Sequence, residues 1–554
     1  MAKAHFLSHL ISVSIGIYTV SAFAQNSPQQ TLSTLPTDLT QSAQKELKNL
    51  TNTVATAKLS KQIYQPDEKN ATETLIYSKQ CLPYKTIELR GITLIPTGNL
   101  LPEHNGCISE DMLNQLSKNI TAAYLQAGYI YNPFQFQTDG TERLILQVIE
   151  GKVSKISGKD NIVNPALLFP NLIGQPLNIR DLDQGLDQTN RFSGSKVTLD
   201  VLPQENGDVE IALHNDYEKR MNTRLSIDNF GTKNTGEWVV RGFINIDSPL
   251  GLSDTFSLSA SHSLRPHLYP YNRSAAFYYS IPYGYYTMSI FASLSQYRSD
   301  LNLPHKKLQQ SGRTWQVGSR LERVVKRGSN AVSTAYIQLE HINAKNGLED
   351  IVYMNQSPII STANIGFNQL WLIENGLWLL YGNYEYGKLF KKNNSEGLYQ
   401  NYHKFSTNID FIAYHSWLSQ TFRQQHRLTA QYSSTYLPTI KQQDILGRGS
   451  VRGFRFMSST AEKALVLENN LFISKSWGDW LVEPYIGLDL GIQRNVAKEG
   501  QISFSSKALG GAVGVKTTLK QRYSFNLEWA KGKLFTPSEN FSEQMLSFNA
   551  SINF

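Results

Sequence analysis

Within MLSFNASINF at the C-terminal end of the sequence, the nine residues from Leu546 alternate without a fault: Leu546, Phe548, Ala550, Ile552 and Phe554 are apolar, and Ser547, Asn549, Ser551 and Asn553 are polar. A period of two places the two sets on opposite faces of an extended strand, one suited to apolar surroundings and one to water. The alternation recurs in TFSLSASHS, RSAAFYYSI and HRLTAQYSS, in the region after about Lys219 where helical periodicity fades. At about 21 residues per strand and connection, this region has room for about 16 strands, and 14 or 18 also fit. A soluble β-sandwich would alternate in the same way. The number of long strands and aromatic residues instead favours a membrane β-barrel of antiparallel strands over residues 218–554.

Upstream the period changes. Across residues 80–150, YKTIELRGI reads as a strand and SEDMLNQLSKNITAAYLQAGY as a helical region capped by Ser109. FQFQTD and RLILQVIEG then read as two strands around an Asp-Gly turn, giving a β-α-α-β-β unit. Residues 151–217 repeat the theme with GKVSKISG, helical ALLFPNL and NIRDLDQGLDQTNRF, and a closing pair of strands about an Asn-Gly-Asp turn. Two small α+β units in tandem ahead of a barrel read as periplasmic modules of the polypeptide-transport-associated (POTRA) type. Residues 25–79 are polar, but Leu39, Ala43, Leu47, Leu50, Val54 and Ala57 recur at helical spacing. Two readings of this stripe stay open, a solvated linker helix and a polar helix inside a polar lumen. At the start, Lys3 and His5 precede the apolar run FLSHLISVSIGIYTV, which contains His9, and the small-residue pattern AFAQ follows, which predicts a secretory signal peptide over residues 1–24.

Composition narrows the function classes. A mean hydropathy of −0.34 excludes a helical membrane bundle but not a barrel, whose strands are apolar on one face only. The net charge of +8 is mild for 554 residues and gives no support for nucleic acid as a partner. The two cysteines, Cys81 and Cys107, lie close together in an exported chain and suggest one disulfide. Without a nearby His pair they make a poor metal site. HExxH, GxSxG and P-loop patterns do not occur, so the expectation is no enzyme, no cofactor and no bound metal.

One stretch, GRGSVRGFRF from Gly447 to Phe456, carries three arginines and no acid. It could be a nucleic-acid patch, an RNA-stacking segment, or a loop whose arginine needs a buried carboxylate. An exported chain rarely meets nucleic acid, which turns the search toward a carboxylate. In DWLVEPYIGLDLGIQ the residues Trp480, Val482, Pro484, Ile486, Leu488, Leu490 and Ile492 form an unbroken apolar row. The opposite row, Glu483, Tyr485, Gly487, Asp489, Gly491 and Gln493, therefore faces the lumen. Asp489 points inward between Gly487 and Gly491, which clear space for a close approach. A guanidinium from a loop folded into the pore would suit it, with Arg452 as the candidate. Alternatively, VRGF is a basic loop tip and Asp489 a solvated pore charge.

Val451-Arg452-Gly453-Phe454 together with Gly487-Leu488-Asp489-Leu490-Gly491 resembles the hallmark of the two-partner (type V) secretion transporters, the haemolysin-activator branch of the Omp85 superfamily. Further similarity lies in YLQAGYIYNPFQF, LNIRDLDQGLDQTNR, SIDNFGTKNTG and DSPLGLSD. The resemblance implies a 16-stranded outer-membrane barrel, two periplasmic POTRA modules, a plug helix within residues 25–79 and a lumen loop over about 440–462. It implies export of an unfolded exoprotein, an adhesin, haemolysin or contact-dependent inhibition toxin, recognised through its N-terminal secretion domain. The other partners it implies are periplasmic chaperones, outer-membrane lipid and the outer-membrane assembly machinery, which would read the last strand ending on Phe554. An assembly factor of the same superfamily is the runner-up reading, and a passive porin follows it.

Overall fold

The computed structural model describes residues 41–48, 79–102, 106–232, 234–265, 270–302, 307–349, 351–353, 356–390, 401–418, 420–496 and 503–554. The signal-peptide segment lies outside them, as do Leu39, Leu50, Val54 and Ala57 of the N-terminal stripe.

The first module packs helix α1 (Glu110–Ala127) on a sheet of β1 (Thr86–Arg90), β2 (Phe134–Thr138) and β3 (Arg143–Val148). The strand order is β1-β3-β2, with β1 parallel and β2 antiparallel to β3. Ser109 caps α1 by accepting from the Met112 amide at 3.3 Å, and Gly128 ends it at φ 94°, a left-handed geometry that costs glycine least. The buried residues Met112, Leu116, Ile120 and Tyr124 recur every fourth position, and Leu116, Ile120 and Tyr124 pack with Leu146 and Val148. Only one helix is present among the described residues of this module, where the sequence suggested two. Residues 92–102 are punctuated by Pro96, Gly98 and Pro102 and form bends and turns.

Glu150 ties this segment down. Its carboxylate accepts from the Thr93 and Leu94 amides at 2.7 and 2.8 Å, from the Tyr124 hydroxyl at 2.7 Å and from the Thr93 hydroxyl. Burial would raise its pKa, but these donors outweigh it and hold the carboxyl below its ordinary value. Cys81 and Cys107 form a disulfide that closes a loop across the start of α1.

The second module repeats the sheet with β4 (Val153–Ser157), β5 (Ser195–Pro203) and β6 (Val209–Tyr217) in the order β4-β6-β5. Its helices are α2 (Pro165–Leu168) and α3 (Ile179–Thr189). One face of α3 docks on the barrel. Gln184 and Gln188 both donate to the Gly284 carbonyl, at 3.0 and 3.1 Å, and Asp181 accepts from Tyr285 at 2.6 Å. Asp187 pairs with Arg327. The repeated Asp and Gln of LNIRDLDQGLDQTNR are the helical face that seats the module beneath the pore.

Sixteen antiparallel strands then close a barrel. They are β7 (Met221–Asp228), β8 (Trp238–Asp247), β9 (Thr255–Leu264), β10 (Tyr271–Tyr283), β11 (Tyr286–Asn302), β12 (Lys307–Arg327), β13 (Ala331–Leu348) and β14 (Ile359–Ile373). The second half comprises β15 (Gly376–Leu389), β16 (Asn401–Trp417), β17 (Gln420–Tyr432), β18 (Lys463–Trp477), β19 (Trp480–Arg494), β20 (Ser505–Leu519), β21 (Tyr523–Phe535) and β22 (Asn540–Asn553). The ring closes where β22 pairs with β7, from Asn549 opposite Asp228 to Asn553 opposite Arg224. Outward rows such as Leu488, Leu490 and Ile492 are exposed and apolar, while inward rows such as Ser289, Ser293 and Ser295 are buried and polar. Short turns lie on the module side, flanked by Tyr283, Tyr286, Trp417, Trp477 and Trp480, an aromatic girdle for one membrane interface.

Removing the Cys81–Cys107 bridge, whose ends are 26 residues apart, is expected to cost the first module about 3 to 4 kcal/mol. The double serine variant should show faster proteolysis of residues 80–150 with the barrel intact on gels. Glu150 predicts a pH dependence with a defined sign. Because its folded pKa is depressed, its stabilisation is present at neutral pH and is lost as pH falls through and below the ordinary carboxylate range. Proteolysis of the module in moderate urea should therefore accelerate on acidification, and this slope should shrink in Glu150→Gln.

Candidate functional site: a loop locked inside the barrel

The connection between β17 and β18, residues 433–462, does not stay outside the barrel. It folds into the lumen, where Gln443–Asp444 pairs antiparallel with Thr460–Ala461 at its neck. Gly447, Gly449 and Gly453 adopt φ of 88°, 74° and 93°, so the tip turns where only glycine does so cheaply. Ile445, Leu446, Val451 and Phe454 are buried against Ala464, Val466, Ala508 and Leu534 of the inner wall.

Arg452 is the centre of this seat. Its Nε and Nη2 donate to the two Asp489 carboxylate oxygens, each at 2.6 Å, and its own amide donates to the same carboxylate at 3.0 Å. Nη1 donates to Asn470 Oδ1 at 2.7 Å and Glu528 Oε2 at 3.1 Å, and Nη2 also reaches the Asn469 carbonyl at 3.2 Å. All five guanidinium N–H bonds are thus directed at wall acceptors. The Asp489 side chain is 0% exposed and that of Arg452 13%, so neither is a solvated pore charge.

Register explains how a backbone can come this close. Glu468, Asp489, Gly510 and Gly532 lie directly opposite one another across β18 to β21. A Cβ on Gly510 would sit 2.6 Å from the Arg452 carbonyl, one on Gly532 2.3 Å from the Phe454 ring, and one on Gly487 2.1 Å from Arg452 Nη2. These glycines form a shelf without side chains on which Arg452, Gly453 and Phe454 lie. Gly491 abuts Val451 and Ile445 in the same way.

The sequence reading singled out Val451, Arg452, Gly453, Phe454, Gly487, Asp489 and Gly491, and the structure brings all seven together. It did not find Glu528, Asn470, Gly510 or Gly532. The two glycines could have been noticed as inward-parity positions on neighbouring strands, whereas Glu528 and Asn470 carry no local signal. Phe554 ends the chain beside β7, its amide donating to the Thr223 carbonyl at 2.8 Å. The other two arginines of the stretch have separate seats. Arg455 reaches the Asn229 carbonyl at 2.5 Å and Glu237 at 3.3 Å, and Arg448 lies 4.1 Å from the centre of the Phe230 ring.

A second occupant shares the lumen. Residues 42–48 are helical, and Leu47 packs on an apolar wall patch of Ala276, Phe291, Phe243 and Tyr278. Glu46 lies 3.5 Å from Arg241 and accepts from Ser274 at 3.3 Å, and Ala43 is fully buried. Between helix, loop and wall remains a cavity of about 1350 Å³ lined by charged and polar groups, including Arg320, Glu322, Asp410 and Arg427.

Comparison with known proteins places these features in a wider set. The profile of the haemolysin secretion/activation protein family ShlB/FhaC/HecB matches residues 207–517, a ShlB-type POTRA domain matches 82–151, and a further POTRA domain matches 149–203. The chain is 33% identical over 491 residues to the hemolysin transporter protein HpmB of Proteus mirabilis, covering 85% of each chain. It is 33% identical over 481 residues to the hemolysin transporter protein ShlB of Serratia marcescens, covering 83% of this chain and 84% of that one. The solved structure of CdiB from Escherichia coli superposes with a TM-score of 0.79 at 22% identity, over 94% of this chain and 98% of that one, a likeness of fold.

A side chain on the glycine shelf should unseat the loop. Gly487→Val is expected to displace Arg452 and leave Asp489 buried without its cation, at a cost of about 3 to 5 kcal/mol. The temperature at which the folded barrel loses its fast migration on gels should fall, and Gly511→Val, one residue from Gly510 and facing outward, should leave it unchanged.

Proposed function

The chain belongs to the haemolysin secretion/activation family ShlB/FhaC/HecB, and on that footing we propose that it is an outer-membrane translocator that exports an unfolded exoprotein. The substrate enters from the periplasm, where the two modules stand, and passes through the barrel to the cell surface. The observation that carries this reading is the seated loop. A passive pore has no use for a strap locked into its lumen by an arginine with every N–H engaged, nor for a module docked on its periplasmic turns.

The physical sequence of events follows from the parts. The exoprotein's N-terminal secretion domain meets the modules, whose sheets each present two edge strands, β1 and β2 in the first and β4 and β5 in the second. An extended chain adds to such an edge through main-chain hydrogen bonds, which make little demand on its sequence. The helix then leaves the path, and folding of the exoprotein outside draws the rest through. Val451, Arg452, Gly453 and Phe454 with Gly487, Asp489 and Gly491 hold the loop in its transport-competent seat and do no chemistry. Periplasmic chaperones keep the substrate unfolded, the assembly machinery takes up the last strand with Phe554, and lipid covers the outward apolar rows.

The test pairs export with assembly. Cells expressing this protein and an exoprotein with an N-terminal β-helical secretion domain are expected to release that exoprotein into the medium. Arg452→Ala, still folded by heat-modifiable migration, should release about tenfold less, as expected when a buried charge pair is broken. Full release from the assembled variant would remove the role given to the loop. Loss of unrelated outer-membrane proteins on depletion would move the assembly-factor reading ahead.

A further inference from the structure

The lumen loop meets the wall at a second charged site, far around the barrel from Arg452. Before its neck, the loop makes one turn of 3-10 helix, Thr439–Lys441. Ile440 of this turn sits in an apolar seat with Ile342, Ile360 and Leu389. Next to it the Lys441 ammonium lies 3.5 Å from Glu340 on β13 and 3.3 Å from Glu385 on β15. Glu385 is also 3.4 Å from Lys404 on β16 and accepts from the Tyr402 hydroxyl at 2.7 Å, while Gln316 on β12 donates to Glu340 at 2.6 Å. Lys441, Glu340, Glu385 and Lys404 are all at least 91% buried.

The charge count shows what this site lacks without the loop. The wall alone would hold two buried carboxylates and one ammonium. Burying an uncompensated charge is strongly unfavourable, so the wall is built to receive one more cation. Lys441 supplies it and completes a neutral quartet. Its partners stand on β13 and β15, whereas those of Arg452 stand on β18, β19 and β21. The loop is therefore fastened at two places on different sectors of the barrel. The same turn also touches the N-terminal helical segment, because the Gln41 side-chain amide donates to the carbonyls of Thr439 at 2.9 Å and Gln442 at 3.2 Å.

We propose that Lys441 is a second positioning residue for export, anchoring the near arm of the lumen loop to the Glu340–Glu385 wall site so that the loop keeps its transport-competent seat only while both anchors hold. This rests on the export reading for its purpose, but the anchor itself can be tested apart from export. A cysteine probe at Ser450, 4% exposed in the loop, gives that readout, because Cys81 and Cys107 are joined and leave no competing thiol.

Intact cells carrying Ser450→Cys are treated with a membrane-impermeant maleimide. Adding Lys441→Met is expected to raise the labelling rate about tenfold or more, through a shift in the seated population, while Lys441→Arg keeps it slow. Lys441→Met with Glu385→Gln removes the surplus wall charge without restoring the anchor, so labelling should stay fast. In parallel, without the probe cysteine, Lys441→Met should lower exoprotein release and Lys441→Arg should retain it. Labelling unchanged by Lys441→Met would overturn the proposal. A return to slow labelling in the double variant would also overturn it, since charge balance alone would then account for the effect. If the unmodified protein released no exoprotein, the export reading would fall while the labelling rates still decided the anchor.

Discussion

A guanidinium inside a barrel wall is tolerable only if every N–H finds an acceptor, and much of this molecule is arranged around meeting that condition for Arg452. Asp489 supplies two oxygens, Glu528 and Asn470 one each, and the Asn469 backbone another. These acceptors sit on three different strands, so the cation ties β18, β19 and β21 to one point. The inward parity of β19, the glycine shelf and the apolar packing of Val451 and Phe454 all follow from the need to bring a loop backbone within hydrogen-bonding distance of a sheet.

What could be read beforehand divides along the range of the signal. Strand alternation is local, so the orientation of Trp480 to Gln493 and of Met545 to Phe554 was legible from a window of ten to fifteen residues. Apart from the resemblance, the number of strands was legible only as a division of length, and the closure of β22 on β7 supplies the count. Asp489 was visible because flanking glycines mark it on its own strand. Glu528 and Gly532 are brought beside Asp489 by the register of two successive hairpins, β19–β20 and β20–β21, and that register leaves no mark in a single sequence. In the first module the stretch read as helical, Ser109 to Tyr129, holds a single helix, and the preceding residues 92–102 with Pro96, Gly98 and Pro102 form turns among the described residues.

The second module illustrates a signal that was seen but not understood. LNIRDLDQGLDQTNR was visible as a pattern and as a resemblance, yet nothing in it names its counterpart. That counterpart is a single carbonyl, Gly284 O, in a four-residue turn some hundred positions later in the chain. Two glutamine amides converge on one backbone oxygen of the β10–β11 turn, where Asp181 also meets Tyr285, while Asp187 pairs with Arg327 at the end of β12 and Arg191 and Gly194 bond Ser253 and Asp247 of the β8–β9 turn. Any reorientation of the module is thereby delivered to the barrel at these periplasmic turns.

The glycine shelf has a mechanical side. Where Gly487, Gly510 and Gly532 face inward, the sheet carries no side chains of its own on that face, and the packing that stiffens it comes from Arg452 and Phe454 of the loop. The loop acts as an internal brace for a sector of the wall that is otherwise thin. Bore width and wall compliance in that sector are therefore set by the same few contacts, so a change that loosens the loop would alter both at once.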